Sequence, residues 1–228
     1  MEIVVVAATP FEIAPLLEYL NGRFEAREQG LFQRGELRVR LLVTGVGMSA
    51  TSWHLGLLFS RMKPALAVNA GIAGAFDRRL QLGDTVHVIT ERFGDLGVEE
   101  ADGRFTDLME LGLADTSNTL FINGKLYNPA AEQAAFLPSV HGITVNKVHG
   151  TQASIDAVQR KYPQVQVESM EGAAFFQACL SAKIPFLEIR AISNYVEPRN
   201  REAWDLPGAI GHLNQALVDL LEAVGSSS

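Results

Sequence analysis

A carboxylate, a guanidinium and an amide stand in the second half of this chain where a fold could gather them. Glu171 follows Met170 in the run Ser169-Met170-Glu171-Gly172, just before an Ala- and Phe-rich stretch. Ser169 reads as an N-cap, and the stretch after it as a buried helix. Pro185 ends the connection, and Phe186-Leu187-Glu188-Ile189-Arg190-Ala191-Ile192-Ser193 follows as a strand closing on Asn194. A carboxylate at a helix mouth would then meet an Arg and an amide at a strand end. All three would face the edge of an α/β sheet, where open α/β folds bind ligands. Taken alone, Glu171 is equally well read as a charge that complements the helix dipole.

The elements that must position these groups alternate along the chain. Residues 2–9 form a continuous apolar strand of the kind buried on both faces. A helix over 10–20 has Pro10 and Glu12 in its first turn. Residues 36–45 make an alternating strand, and Gly45 and Gly47 turn the chain into a helix ending near Lys63. Strands follow at 64–71, before the glycine-broken IAGAFD, and at TVHVIT after Gly83-Asp84. Residues 92–128 look irregular and suit a mobile loop over a site. A strand over 143–150, helices over 153–161 and 207–223, and a disordered tail at 225–228 complete the reading, with one domain over 1–224. This order favours a three-layer αβα sandwich around a mixed, largely parallel central sheet.

Composition narrows the function classes. The 228 residues are 47% hydrophobic and 20% charged, with a net charge of −7 and a pI near 5.3. That balance, without a basic cluster, argues against nucleic acid or an anionic membrane as partner. The first strand is no signal peptide and no apolar run reaches a membrane span, so a cytoplasmic protein is expected. The single cysteine, Cys179, falls within the apolar helix and reads as a core residue. The five histidines have no ligand spacing, so no metal site is expected. GVGMSA at 45–50 matches a dinucleotide-binding turn, yet the next strand ends Val68-Asn69-Ala70-Gly71 without the acidic residue such a site needs. A non-catalytic nucleotide-binding protein stays open on that turn.

AATPFEIAPL at 7–16, TGVGMSAT at 44–51, VNAGIAGAF with LGD within 68–84, VESMEGAA at 167–174 and RAISN at 190–194 together resemble the nucleoside phosphorylase/nucleosidase superfamily. The likeness covers nearly the whole chain and is to the hydrolytic branch. ISNYVEPRNRE at 192–202 looks most like its futalosine-cleaving members; the adenosine-type nucleosidases carry Asp where Asn194 stands, and remain the alternative. The resemblance implies an N-ribosyl hydrolase acting on a purine nucleoside, without cofactor, as a homo-oligomer (dimer or higher) with an apolar interface near 92–105.

It also implies roles. Glu12 would deprotonate the attacking water, Arg190 would help hold it, and Glu171 would accept the ribose hydroxyls. Met170 would pack on the sugar, and Asn194 would meet the purine at N7 and the 6-position. Ile72 stands where adenosine-type relatives have a water-binding Ser, beside Gly74 in the same glycine-rich turn. Ser154 takes the place of their base-stacking aromatic, leaving backbone near Ile155 to meet the base edge. The first turn lacks the arginine-bearing, glycine-rich loop with which phosphorolytic members grip phosphate, so water is the expected nucleophile. Arg104, Arg199 and Arg201 are the nearest readable cations for a carboxylated substrate tail.

Overall fold

The computed structural model describes residues 1–113, 120–131 and 136–226. Strand β1 (Glu2–Ala7) sends Ile3, Val5 and Ala7 into one core and Val4 and Val6 into another. A 3-10 turn, Pro10–Ile13, leads into α1 (Ala14–Arg23). The short antiparallel strands β2 (Glu25–Glu28) and β3 (Leu31–Arg34) follow, and β4 (Leu37–Val43) then lies parallel to β1. Next come α2 (Met48–Arg61), β5 (Leu66–Ala75) and β6 (Thr85–Glu91). Strands β7 (Gly97–Glu99) and β8 (Phe105–Asp107) make a separate hairpin, and β9 (Phe121–Ile122) pairs with β10 (Lys125–Tyr127). The order closes with β11 (Ser139–Thr144), α3 (Gln152–Lys161), β12 (Val167–Ser169), α4 (Gly172–Ala182), β13 (Phe186–Tyr195) and α5 (Leu206–Ser226).

The large sheet runs β2-β3-β4-β1-β5-β12-β11-β6-β10-β9, and β13 pairs with both β5 and β6. It is mixed and largely parallel, as the alternation implies, with helices on both faces. Leu16 and Leu20 of α1 pack with Leu213 and Leu217 of α5 on one side. Leu55 and Phe59 of α2 pack with Phe175 and Phe176 of α4 on the other. Each such side chain fully buried contributes roughly 1.5–3 kcal/mol. One feature exceeds an open sandwich: β5, β12, β11, β6 and β13 close a ring. The ring forms because β5 and β13 are both ten residues long and outrun their neighbours.

Several boundaries differ from the sequence reading. Strand β5 continues through Ile72–Ala75, because side chains from β13 fill the space beside its glycines. Strand β11 ends at Thr144, so 145–150 is a connection rather than a strand. Ser169 is the last residue of β12, and its hydroxyl accepts the Gly172 N–H at 3.3 Å, while Glu171 occupies the N-cap position of α4 without a side-chain bond to the helix. The 92–128 stretch holds four short strands, while 114–119 lies outside the described residues. Helix α5 reaches Ser226, so Gly225 and Ser226 are helical, and 227–228 lie outside the described residues. Cys179 is fully buried in the α2–α4 core, where burial first and the charge of Glu188 second raise its thiol well above the usual range.

Candidate active site

Glu12 is buried although its turn is at the surface, because its carboxylate points inward onto β5. The Thr9 backbone N–H and hydroxyl donate to Oε2 at 2.9 and 3.0 Å, and the Ile72 N–H donates to Oε1 at 3.2 Å. Ile72 thus serves through its backbone, with its side chain against the α1–α5 core. Asn214 of α5 locks the turn: its Nδ2 donates to the Glu12 carbonyl at 2.8 Å, and its Oδ1 accepts the Leu16 N–H at 2.9 Å. A buried Asn on an apolar helix gives no sequence signal for this role, since its partners lie about two hundred residues away.

Arg190 lies fully buried beside Glu12. A Cβ on Gly71 would sit 2.3 Å from Arg190 Nη1 and 2.9 Å from Glu12 Oε1, so only glycine lets the three meet. Arg190 Nε donates to Glu188 Oε1 at 2.7 Å, and Nη1 lies 3.7 Å from Glu171 Oε2. Burial works against its charge, but Glu188, Glu171 and Glu12 outweigh burial and raise the guanidinium above its ordinary value. Glu171 Oε1 accepts the Gly47 N–H at 3.0 Å. Gly47 has φ of +96°, which suits glycine, so the 45–47 turn is built to hold Glu171. Met170 precedes it, half-buried.

Behind Arg190 lies a carboxyl pair that sequence reasoning did not single out. Glu91 is buried between Gly142 and Gly172, where a Cβ would come within 2.4 and 2.3 Å of its Oε1. The Gly172 Cβ would also lie 2.6 Å from Glu188 Oε1, so the two carboxyls are neighbours. Burial raises Glu91 well above the carboxylate range and Glu188 adds repulsion, against Thr144 and Arg190. Burial raises Glu188 too, with Arg190 opposing.

The folded protein therefore binds a proton here more tightly than the unfolded chain. This contribution to stability is full below the ordinary carboxylate range and is lost as pH rises through the raised values. One proton of difference gives a slope of ~1.4 kcal/mol per pH unit. The wild-type urea midpoint measured relative to that of Glu91→Gln is expected to fall from mildly acidic to neutral pH. In that difference the opposing effect of buried His87 and half-buried His141, whose values are lowered by burial, cancels. Parallel slopes in the two proteins would remove Glu91 from the titration.

Asn194 is the penultimate residue of β13. Its Oδ1 accepts the Ser193 hydroxyl at 2.8 Å and its Nδ2 donates to the Tyr195 carbonyl at 2.9 Å, leaving one N–H free of these two contacts. A Cβ on Gly74 would lie 3.1 Å from that Nδ2, so Gly74 opens the space over the amide. Gly74 and Asn194 line one cavity with His149, Glu168, Val196 and Trp204. Arg199 reaches the same cavity, its guanidinium 5.4 Å from the Trp204 ring, and Arg201 lies 5.9 Å from that ring. Arg104 belongs to the separate β7–β8 hairpin. Ile155 is not at the edge: its side chain is core beside Phe76 and Val196, and its N–H is spent on Thr151 at 3.0 Å. Ser154 is half-buried and bonded to Thr151.

Among the described residues no group of His, Cys, Asp and Glu is arranged to hold a metal ion, and no helix is long and apolar enough to cross a membrane.

The sequence and the fold have counterparts among known proteins. The family model described as the phosphorylase superfamily matches residues 2–224. A futalosine hydrolase of Acidothermus cellulolyticus is 36% identical over 183 residues, 79% of this chain and 74% of that protein. A futalosine hydrolase of Streptomyces coelicolor is 34% identical over 160 residues, 70% of this chain and 63% of that protein. The match therefore spans about two thirds to three quarters of these relatives' length. In fold, a 5'-methylthioadenosine/S-adenosylhomocysteine nucleosidase from Colwellia psychrerythraea, solved with adenine, superposes with a TM-score of 0.76 at 23% identity, covering 97% of this chain and 95% of that one. With sequence and fold in agreement from the first strand to the last helix, this chain belongs to the phosphorylase superfamily.

Proposed function

We propose that the protein hydrolyses the N-glycosidic bond of futalosine, releasing hypoxanthine and dehypoxanthine futalosine, a step of menaquinone biosynthesis. Water attacks C1′ of the ribose, and the C1′–N9 electron pair leaves with the purine. Glu12 takes the proton of that water, which Arg190 helps to orient. Glu171 accepts the ribose hydroxyls, and its charge favours the cation that develops on the sugar. Met170 packs on the sugar. Phosphate is disfavoured because Arg190, the guanidinium beside Glu12, is already surrounded by Glu12, Glu171 and Glu188.

The observation that carries the choice of base is the pose of Asn194. With Oδ1 taken by Ser193, the amide offers the ligand an N–H. Hypoxanthine presents two acceptors on that edge, O6 and N7, whereas adenine presents one acceptor and an amino donor. A mismatched polar pair in such a site costs several kcal/mol, roughly 10²-fold or more in rate. Incubation with futalosine, its 6-amino analogue and methylthioadenosine, with chromatography of the released base, tests the reading. Hypoxanthine is the expected main product, and Asn194→Asp is expected to lose activity on futalosine and gain some on the 6-amino analogue. Equal cleavage of both by the wild type would defeat this account of base choice.

A further inference from the structure

The reaction proposed above leaves one requirement open. Hypoxanthine departs with an electron pair, and an amide such as Asn194 has no acidic proton to give it. We propose that His149, held by Glu168, is the acid that protonates the departing purine; the assignment rests on the reading of the protein as a purine-riboside hydrolase.

Glu168 is 4% exposed in the middle of β12 and stands in antiparallel register with Gly74 of β5. Both its oxygens go to one residue. Oε1 accepts the His149 backbone N–H at 3.0 Å, and Oε2 is in contact with ring Nδ1. A buried carboxylate that binds a histidine by backbone and ring fixes the imidazole's position and places a proton on Nδ1. Nε2 is then the ring nitrogen left for a ligand. The ring is further held by Phe76, with centroids 6.3 Å apart.

His149 and Asn194 line the same cavity, and Glu168, which holds the ring, and Asn194 pair with Gly74 from its two sides, where a side chain would fill the space. The other charged groups lining it are Glu197, bridged to Arg78 at 2.8 Å, and Arg199. The cavity therefore offers two donors, the Asn194 amide and the Nε2–H of protonated His149, to a base edge with two acceptors. As the C1′–N9 bond breaks, the Nε2 proton moves to the O6/N7 edge of the base. Neutral imidazole remains, with Nδ1–H on Glu168, and regains its proton from solvent. Adenine would set its amino group against one of the two donors, so the same pair also selects the 6-oxopurine.

A substrate whose leaving group needs no proton separates an acid from a structural residue. Hydrolysis of futalosine and of 4-nitrophenyl riboside is measured for wild type, His149→Gln and His149→Ala, each checked for folding by circular dichroism. Both variants are expected to lose about 10²-fold or more in kcat on futalosine, but to stay within about threefold on the nitrophenyl riboside. Added imidazole is expected to restore part of the loss in His149→Ala. Glu168→Gln, which acts on the reaction only through the ring it holds, is expected to show the same imbalance to a smaller degree. Equal losses on both substrates, or no loss on futalosine, would overturn the assignment. A wild type that leaves futalosine intact but cleaves another purine riboside would overturn the substrate reading alone. The same paired comparison on that riboside then decides His149.

Discussion

Glu12→Gln is expected to lower kcat on the riboside substrate by about 10²–10⁴-fold, the usual worth of a positioned general base. The amide keeps the length and volume of the acid but cannot accept the water's proton. Substrate affinity should change little, since in the proposed reaction Glu12 touches water rather than sugar or base. Stability should fall modestly. The carboxylate accepts from Thr9 on one oxygen and from Ile72 on the other. The amide NH₂ must face one of these donors, at a cost of about 1–3 kcal/mol. Steady-state kinetics and thermal melts on the same preparation check both parts. A wild-type kcat at neutral pH would remove Glu12 from the mechanism.

Glu171→Gln is expected to lower kcat/KM by about 10²–10³-fold, as for loss of one preorganised electrostatic contact. The effect should differ in kind from that at Glu12. Glu171 holds both the ground-state hydroxyls and the cationic sugar, so KM should rise while kcat falls. The amide oxygen can still accept the Gly47 N–H, so the 45–47 turn should survive the change. A 2′-deoxy substrate supplies the second arm of the cycle. The wild type should discriminate strongly against it and the variant weakly, because the contact is already gone. Additive losses would show that the 2′-hydroxyl and Glu171 do not meet.

The groups of the site that the sequence makes readable stand at element ends. Glu12 after β1 and Arg190 and Asn194 on β13 come together because β1 and β13 run parallel to β5, whereas Glu171 reaches the same place from β12, which runs antiparallel to β5. The two-sided burial of β1 was equally readable from its unbroken apolar run. What was hidden depends on contacts distant in sequence. Asn214, the Glu91–Glu188 pair and the His149–Glu168 pair are polar residues within apolar or mixed segments, where a composition argument sees only an interruption. The β2–β3 hairpin leaves no mark in the sequence because Glu25–Glu28 is exposed throughout and has no apolar alternation. Strand β5 runs past the end its sequence suggests because glycine reads as a breaker. At Gly71 it instead makes room for Arg190 and Glu12, which only the folded chain reveals.

The lone thiol in the α2–α4 core turns the protein into a reporter of its own opening. Cys179 is 0% exposed and its thiol is held protonated, so a thiol reagent reacts only with molecules in which α4 has come away. Helix α4 also begins directly after Glu171. A nucleoside that binds only the closed form would slow labelling by the factor 1 + [L]/Kd. The labelling rate at a series of concentrations of a non-hydrolysable nucleoside analogue would thus yield an affinity with no turnover, no chromophore and no engineered probe.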